Sequence, residues 1–260
     1  MDISWYGKSS VMLRIRTDGT TLLADPHENV ANQEFQAVLI SNESVDERKI
    51  PNLNATTYLI NGPGEFELRS AYIIGMGISH KRSKPTIIPI SSEEDTIAED
   101  EIDSESIIDE TENSDDYTDD FNSADMPVGH SEDSEASNES GYSTIYLVRA
   151  ENLSVCLVGS IKRSPSARQL AELRQAEVMI APIAEEDEGM PTNRLAELIR
   201  SVDPRVLIPL NLPKNQTSLN TLIEELGITA ENIVRDQARL TVTDRSLPLD
   251  MRINILAASK

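Results

Sequence analysis

Between residues 91 and 140 the chain carries 20 Asp or Glu residues and no Lys or Arg. The stretch is rich in Ser and thin in apolar side chains. It cannot bury enough surface to offset the entropy of an ordered chain, so residues 91–142 are expected to form a disordered acidic insertion. The segments on either side of it are strand-like, "SAYIIGMGIS" before and "STIYLVRAENLSVCLVGS" after. The tract therefore reads as a long insertion at the tip of a hairpin. Such an insertion costs little, because loop-closure entropy grows only with the logarithm of length. What remains has 25 acidic and 23 basic residues and is nearly neutral. One domain spanning residues 1–260 and interrupted by this tract is the simplest organisation.

Residues 1–90 read as short strands. "SSVMLRIR" alternates apolar and polar, "TDGT" supplies a hairpin turn, and "TLLADP", "QAVLIS" and "TTYLING" follow as further strands. "GPGEFEL" reads as a turn because Pro63 and Gly64 punctuate it. No helix start follows it, so it is not a phosphate-binding loop. After the insertion the period changes. "PSARQLAELRQ" is an amphipathic helix, with Pro165 and Ser166 placed to start it. "TNRLAELIRSVDP" is a second helix, with Thr192 as N-cap and Pro204 as a stop. "SLNTLIEELGI" is a third, with Gly227 as C-cap. Between and after them "AEVMIAPI", "RVLIPLN", "ARLTVTDRSL" and "MRINILAAS" read as strands. Strands first, then alternating helices and strands, predict an α/β domain with helices packed outside sheets.

Several function classes are disfavoured. Cys156 is the only cysteine, and its setting in "LSVCLVG" says strand interior rather than nucleophile or disulfide. That usage fits a reducing compartment. No apolar run reaches the roughly 18–20 residues that span a bilayer. The opening "MDISWYGKSS" lacks the layout of a signal peptide. A cytoplasmic protein with no membrane contact is expected. No Ser-His-Asp or Cys-His arrangement stands out, and nothing in the sequence sets the oligomeric state.

Five phrases in order carry a resemblance. "ISWYGKSS" resembles an opening strand whose usual form is W-x-G-H-S. "TTLLADP" is similar to a third strand ending in D-P. "INGPGEFEL" resembles N-G-P-G-E-Y-E. "STIYLVRAENLSVCLVGS" is similar to N-T-I-Y-L…I-x-H-L-G-D, and "VDPRVLIPLN" to a closing P-K-I-V-I-P-M-H. On these phrases the chain resembles the short bacterial single-domain branch of the metallo-β-lactamase-fold hydrolases. The resemblance implies a four-layer αβ/βα sandwich. It also implies a metal-dependent hydrolase site, in which two zinc ions lower the pKa of a bridging water.

The family's ligand motif, H-x-H-x-D-H, follows a strand like "AVLIS". Set on this chain it places Asn42 and Ser44 at the first two histidines, Asp46 at the aspartate and Glu47 at the third histidine. The later histidine corresponds to His80, the bridging aspartate to Ser160, and the last histidine to Asn211. Lys8 stands where W-x-G-H-S has its histidine. Only Asp46 and His80 keep the expected residue. Asn and Ser are poor zinc ligands, a catalytic zinc needs at least three good donors, and the chain has three histidines in all. His27 follows the D-P turn and His130 lies in the acidic tract. An ammonium at Lys8 would oppose a bound cation or neutralise Asp46 or Glu47.

The reading is a zinc-site-degenerate, non-catalytic binding or scaffold protein with no cofactor. Its acidic insertion would contact a basic protein surface through residues 91–140. Short apolar islands such as "SIIDE" and "DDYTDDF" suit docking into a basic groove, and Ser and Thr beside the acids suit phosphorylation. The charge sign excludes direct nucleic-acid binding through the tract. The alternative is a metal-dependent hydrolase with a remodelled carboxylate-rich site. There Asp25, Glu43, Asp46, Glu47 and His80 would converge on a divalent metal such as Zn, Mn or Mg, with Asp46, His80 and Asp25 as the catalytic set.

Overall fold

The computed structural model describes residues 1–26, 34–42, 50, 56–80, 141–183, 189–212 and 216–259. Short strands open the chain: β1 (Asp2–Trp5), β2 (Val11–Arg14), β3 (Thr21–Ala24), β4 (Ala37–Ile40) and β5 (Tyr58–Asn61). The chain then crosses to a second sheet with β6 (Gly64–Leu68), β7 (Ala71–Ser79), β8 (Tyr142–Ala150), β9 (Leu153–Leu157), β10 (Val178–Pro182), β11 (Val206–Leu210) and β12 (Ile233–Gln237). It returns for β13 (Leu240–Thr241) and ends on β14 (Arg252–Leu256). The first sheet has six strands in the order β13-β1-β2-β3-β4-β5, and the second has eight in the order β12-β14-β11-β10-β9-β8-β7-β6. In the second sheet β9, β10, β11, β14 and β12 run parallel, the arrangement that helical crossovers produce.

Alternation assigns side chains to faces. Leu13, Leu22 and Leu39 of the first sheet meet Ile73, Val148 and Val155 of the second in one buried cluster. The next residue along β9 points the other way. Cys156 joins Met179 and Leu207 against Leu173, Leu195, Ile199, Leu219 and Leu222. Those five leucines and isoleucines come from α1 (Ala167–Leu173), α2 (Thr192–Val202) and α3 (Thr217–Leu226). The outer face of the first sheet buries Met12, Leu23, Val38 and Ile40 with Tyr6, Phe35 and Ile50. Two sheets packed face to face, with the described helices α1–α3 outside the second, form the metallo-β-lactamase sandwich. Among the described residues no helix is long and apolar enough to cross a membrane.

Local chemistry explains most element bounds. Ser166 caps α1 with a full capping box to Gln169. Gly227 ends α3 in the left-handed region. The Asp203 C-cap of α2 is left-handed too, one residue before Pro204. Thr192 is the first helical residue of α2 rather than its cap; Pro191 holds that position and no side chain caps it. "GPGEFEL" is not only a turn. Gly62 and Pro63 turn the chain, and from Gly64 it runs as β6 against β7. Its alternating Glu65 and Glu67 keep the edge charged, which discourages pairing with other chains. "ARLTVTDRSL" gives two strand residues only, because Thr243 and Ser246 cap a 3-10 turn over residues 244–246.

β7 and β8 pair antiparallel from Tyr72↔Arg149 to Ser79↔Tyr142. The two chain ends flanking residues 81–140 are thus hairpin neighbours. Of the stretch 91–142 expected to be disordered, residues 91–140 lie outside the described residues, while its last residue, Tyr142, is ordered as the start of β8, because it pairs with Ser79 in the ladder.

Candidate functional site

Strand directions bring one end of each sheet together. β1, β3, β4 and β11 finish there, β9 and β7 finish there, and β2 and β8 begin there. The residue after the strand is left-handed in several cases: Asp25 after β3 at φ 43° and Asn211 after β11 at φ 51°. Lys8 (φ 46°) follows β1 within a tight turn, and Gly159 (φ 62°) follows β9. Asp and Asn tolerate this region and Gly is free in it, but Lys is not. Lys8, Asp25 and Asn211 are three of the nine described non-glycine residues at positive φ, and left-handed backbone held at these strand ends makes the rim a candidate site.

Polar links stitch the two sheets at this rim. Asp25 accepts from the Ser41 backbone N–H at 2.8 Å and from the Ser41 hydroxyl at 2.6 Å. Although Asp25 is part-exposed, its carboxyl lies among enough atoms that desolvation pushes its pKa up, against the lowering pull of the Ser41 bonds. Ser41 crosses to the second sheet, where its carbonyl accepts from Thr144 N–H at 2.7 Å. A Cβ on Gly159 would sit 2.5 Å from Ser41 Cβ, so only glycine permits this approach. Asn42 bridges to Ser143. Deeper in, the Tyr146 hydroxyl donates to the Ile40 carbonyl at 2.8 Å and accepts from Gly62 N–H at 3.1 Å. Burial pushes its pKa up to about 12.

His80 belongs to the same seam. Its Nε2 lies 2.9 Å from Ser143 Oγ, and that hydroxyl donates to the Ser160 carbonyl at 2.9 Å. A hydroxyl has one hydrogen. With that hydrogen on the Ser160 carbonyl, His80 donates from Nε2 and offers no lone pair there. Ser143 itself is fully buried, which keeps it from serving as a nucleophile.

The structure brings together Asp25, Asn42, His80, Ser160 and Asn211 of the sequence-derived candidates, with Lys8 beside them: the Asn211 N–H donates to the Lys8 carbonyl at 3.0 Å. Glu43, Ser44, Asp46 and Glu47 lie outside the described residues, as do His27 and His130. Sequence reasoning missed Ser41, Ser143, Tyr146 and Gly159. A tyrosine inside the apolar run "STIYLV" and a glycine two residues after the end of β9 were the available signals. Two small cavities open at the rim. One of about 60 Å³ has Gly159, Ser160, Ile161 and Asn211 in its wall. The other, of about 10 Å³, lies by Asp25, Ser9 and Gly159.

The zinc pair implied by the fold can be tested against these donors. Among the described residues no group of three or more His, Cys, Asp or Glu is placed to hold an ion. His80 is the rim's one described imidazole and its Nε2 is engaged. Asp25 has both oxygens engaged by Ser41. Asn42, Ser160 and Asn211 offer only neutral amide or hydroxyl groups. The described donor set does not fit a zinc pair, and no chemical step is derived through one.

No curated protein matches the chain. Solved structures are similar to it in fold. A candidate Zn-dependent hydrolase of the metallo-beta-lactamase superfamily from Thermotoga maritima aligns with TM-score 0.62 at 13% identity, covering 98% of this chain and 97% of that one. A candidate metal-dependent hydrolase from Parabacteroides distasonis gives 0.54 at 13% identity over 87% and 88% of the two chains. The metallo-beta-lactamase fold protein YhfI from Bacillus subtilis gives 0.50 at 10% identity over 98% and 95%. The family model described as the beta-lactamase superfamily domain matches residues 2–211, most of the chain. With that match over most of its length, this chain belongs to the beta-lactamase superfamily domain family and has the metallo-β-lactamase fold.

Proposed function

We propose that this chain is a non-catalytic member of its family, a cytoplasmic binding or scaffold protein. Its acidic tract, residues 91–140, contacts a basic surface on a partner protein. The observation that carries the reading is the chemistry of the rim. Strand ends that could converge on a cation present Asn42, Ser160 and Asn211, and His80 donates a hydrogen bond there instead of a lone pair. Metal-ion catalysis needs a Lewis acid or a metal-bound hydroxide, and neutral amides and hydroxyls recruit neither.

Metal analysis of protein purified without chelator tests this. Well under one equivalent of Zn, Mn, Fe or Mg per chain is the expected result. One or two tightly held equivalents, with turnover that EDTA abolishes, would sink it. That outcome would favour a hydrolase whose remodelled site uses Asp46, His80 and Asp25, an activity in line with the descriptions of the Thermotoga and Parabacteroides relatives. The partner claim is read by co-purification. The full chain should retain a basic protein that a chain lacking residues 91–140 does not.

A further inference from the structure

The turn after β9 has donors to spare. Among the described residues, the backbone N–H groups of Gly159, Ser160 and Ile161 meet no acceptor, although bonds of their neighbours such as Val158 N–H to the Ile180 carbonyl are present. Ile161 is only 2% exposed. A buried N–H without an acceptor is uncommon and asks for a partner. Among the described residues, Ser160 is bonded through its carbonyl and Asn211 through its backbone N–H, and neither the Ser160 hydroxyl nor the Asn211 side-chain amide has a hydrogen-bond partner. All four residues line the cavity of about 60 Å³, whose remaining wall includes Pro182 and Met190. A single water needs about 10–15 Å³ on such a measure, so a group of several heavy atoms fits. Successive N–H groups at a turn with a left-handed residue form concavities that take anions, and Gly159 is that residue at φ 62°.

We propose that this cavity binds a small oxyanion, a carboxylate or phosphate group, held by the Gly159–Ile161 backbone, the Ser160 hydroxyl and the Asn211 amide. The inference rests on the reading of the rim as non-metallic and gives that rim a ligand. It inverts the charge preference of the site. The resemblance places an aspartate at residue 160 and histidines at residues 8 and 211. This chain removes the carboxylate, substitutes a neutral donor and sets an ammonium-bearing residue beside it. Lys8 supplies long-range attraction; its carbonyl already accepts from Asn211 N–H at 3.0 Å. Two features oppose the anion. Asp25 lies across Gly159, with both oxygens engaged by Ser41. Glu185, Glu186, Asp187 and Glu188 precede Met190 in the sequence. Affinity in the millimolar range is therefore expected.

Amide spectra of the full-length ¹⁵N-labelled chain decide it. Potassium phosphate and sodium acetate are titrated separately at constant ionic strength, with potassium chloride as the control. Saturable shifts confined to Gly159, Ser160, Ile161 and the Asn211 side chain, with either anion or both, support the proposal; which one saturates identifies the source. Ser160→Asp and Asn211→Asp, checked for native spectral dispersion, should each weaken binding at least about tenfold through like-charge repulsion. If neither variant folds, Lys8→Gln is read instead, with weaker binding whose salt dependence is reduced. Shifts matched by chloride, or unchanged affinity in the folded Asp variants, overturn it. No response to anions or zinc overturns this inference alone. Stoichiometric zinc that displaces the anion overturns it together with the non-catalytic reading.

Discussion

Asp25 spends both carboxylate oxygens on one residue, Ser41, and does so from a part-exposed position where its carboxyl is still desolvated. Removing it strands the Ser41 N–H and hydroxyl, so Asp25→Ala should cost about 1–3 kcal/mol in urea unfolding. Asn tolerates the left-handed backbone, accepts from the N–H and donates to the hydroxyl, so Asp25→Asn should unfold close to wild type at neutral pH. The pH dependence has a definite sign. A carboxyl whose folded pKa is raised contributes stability that is fully present below the ordinary carboxylate range and is lost as pH rises through the raised value. The difference in stability between wild type and Asp25→Asn should therefore move against wild type as pH rises from the carboxylate range toward neutral. A constant difference would remove Asp25 as the cause. Glu151 has the opposite sign. Burial opposes its ionisation, but bonds from the N-terminal ammonium and Thr17 outweigh it, and its pKa falls. Its contribution is lost as pH falls, so only the comparison with Asp25→Asn isolates Asp25. Cys156 is simpler. Burial pushes its thiol up to about 12, so alkylation of the native chain should be slow and should follow the unfolding equilibrium across a urea series.

The strand ends hold the sheets together as much as the apolar interior does. Tyr146→Phe keeps the ring and deletes the hydroxyl shared by the Ile40 carbonyl and Gly62 N–H. A loss of about 1–3 kcal/mol with the fold intact is expected by chemical denaturation. Gly159→Ala should cost more than the roughly 1–2 kcal/mol of left-handed strain, because the new Cβ meets Ser41. The elements most legible in the sequence were those with strong local chemistry. Ser166 and Gly227 fixed the ends of α1 and α3, and β4, β10 and β11 are short apolar runs that nothing else explains. β12 was missed because "IVRDQ" has no alternation, and β6 was read as a turn because its two glutamates and its glycine obscure a period of two. The rim was half legible. Asn42, His80, Ser160 and Asn211 each stand just after or beside a recognisable strand. Ser41, Ser143 and Gly159 are small residues whose partners lie on the opposite sheet, and no local pattern announces a contact between strands more than a hundred residues apart.

For the chain as a whole, the acidic tract dominates the charge: residues 91–140 carry 20 of the 45 Asp and Glu residues. If residues 91–140 are an unstructured spacer, excising them shortens a loop and nothing else, and each halving of its length is worth about 0.6 kcal/mol. The shortened chain should gain about 1–2 kcal/mol in urea unfolding. A loss of stability would mean that the tract packs on the domain. Ser79 and Tyr142 face each other as ladder partners, about 5 Å apart at their Cα atoms in any antiparallel pair. Exit and re-entry of the polypeptide are thus side by side, one strand step from the His80–Ser143 bond. A fluorescent or enzymatic module whose own termini are adjacent could be spliced into that gap without parting the ladder. The same closeness would turn such a fusion into a sensor, with ligand capture at the rim read as a change in the emission of the grafted module.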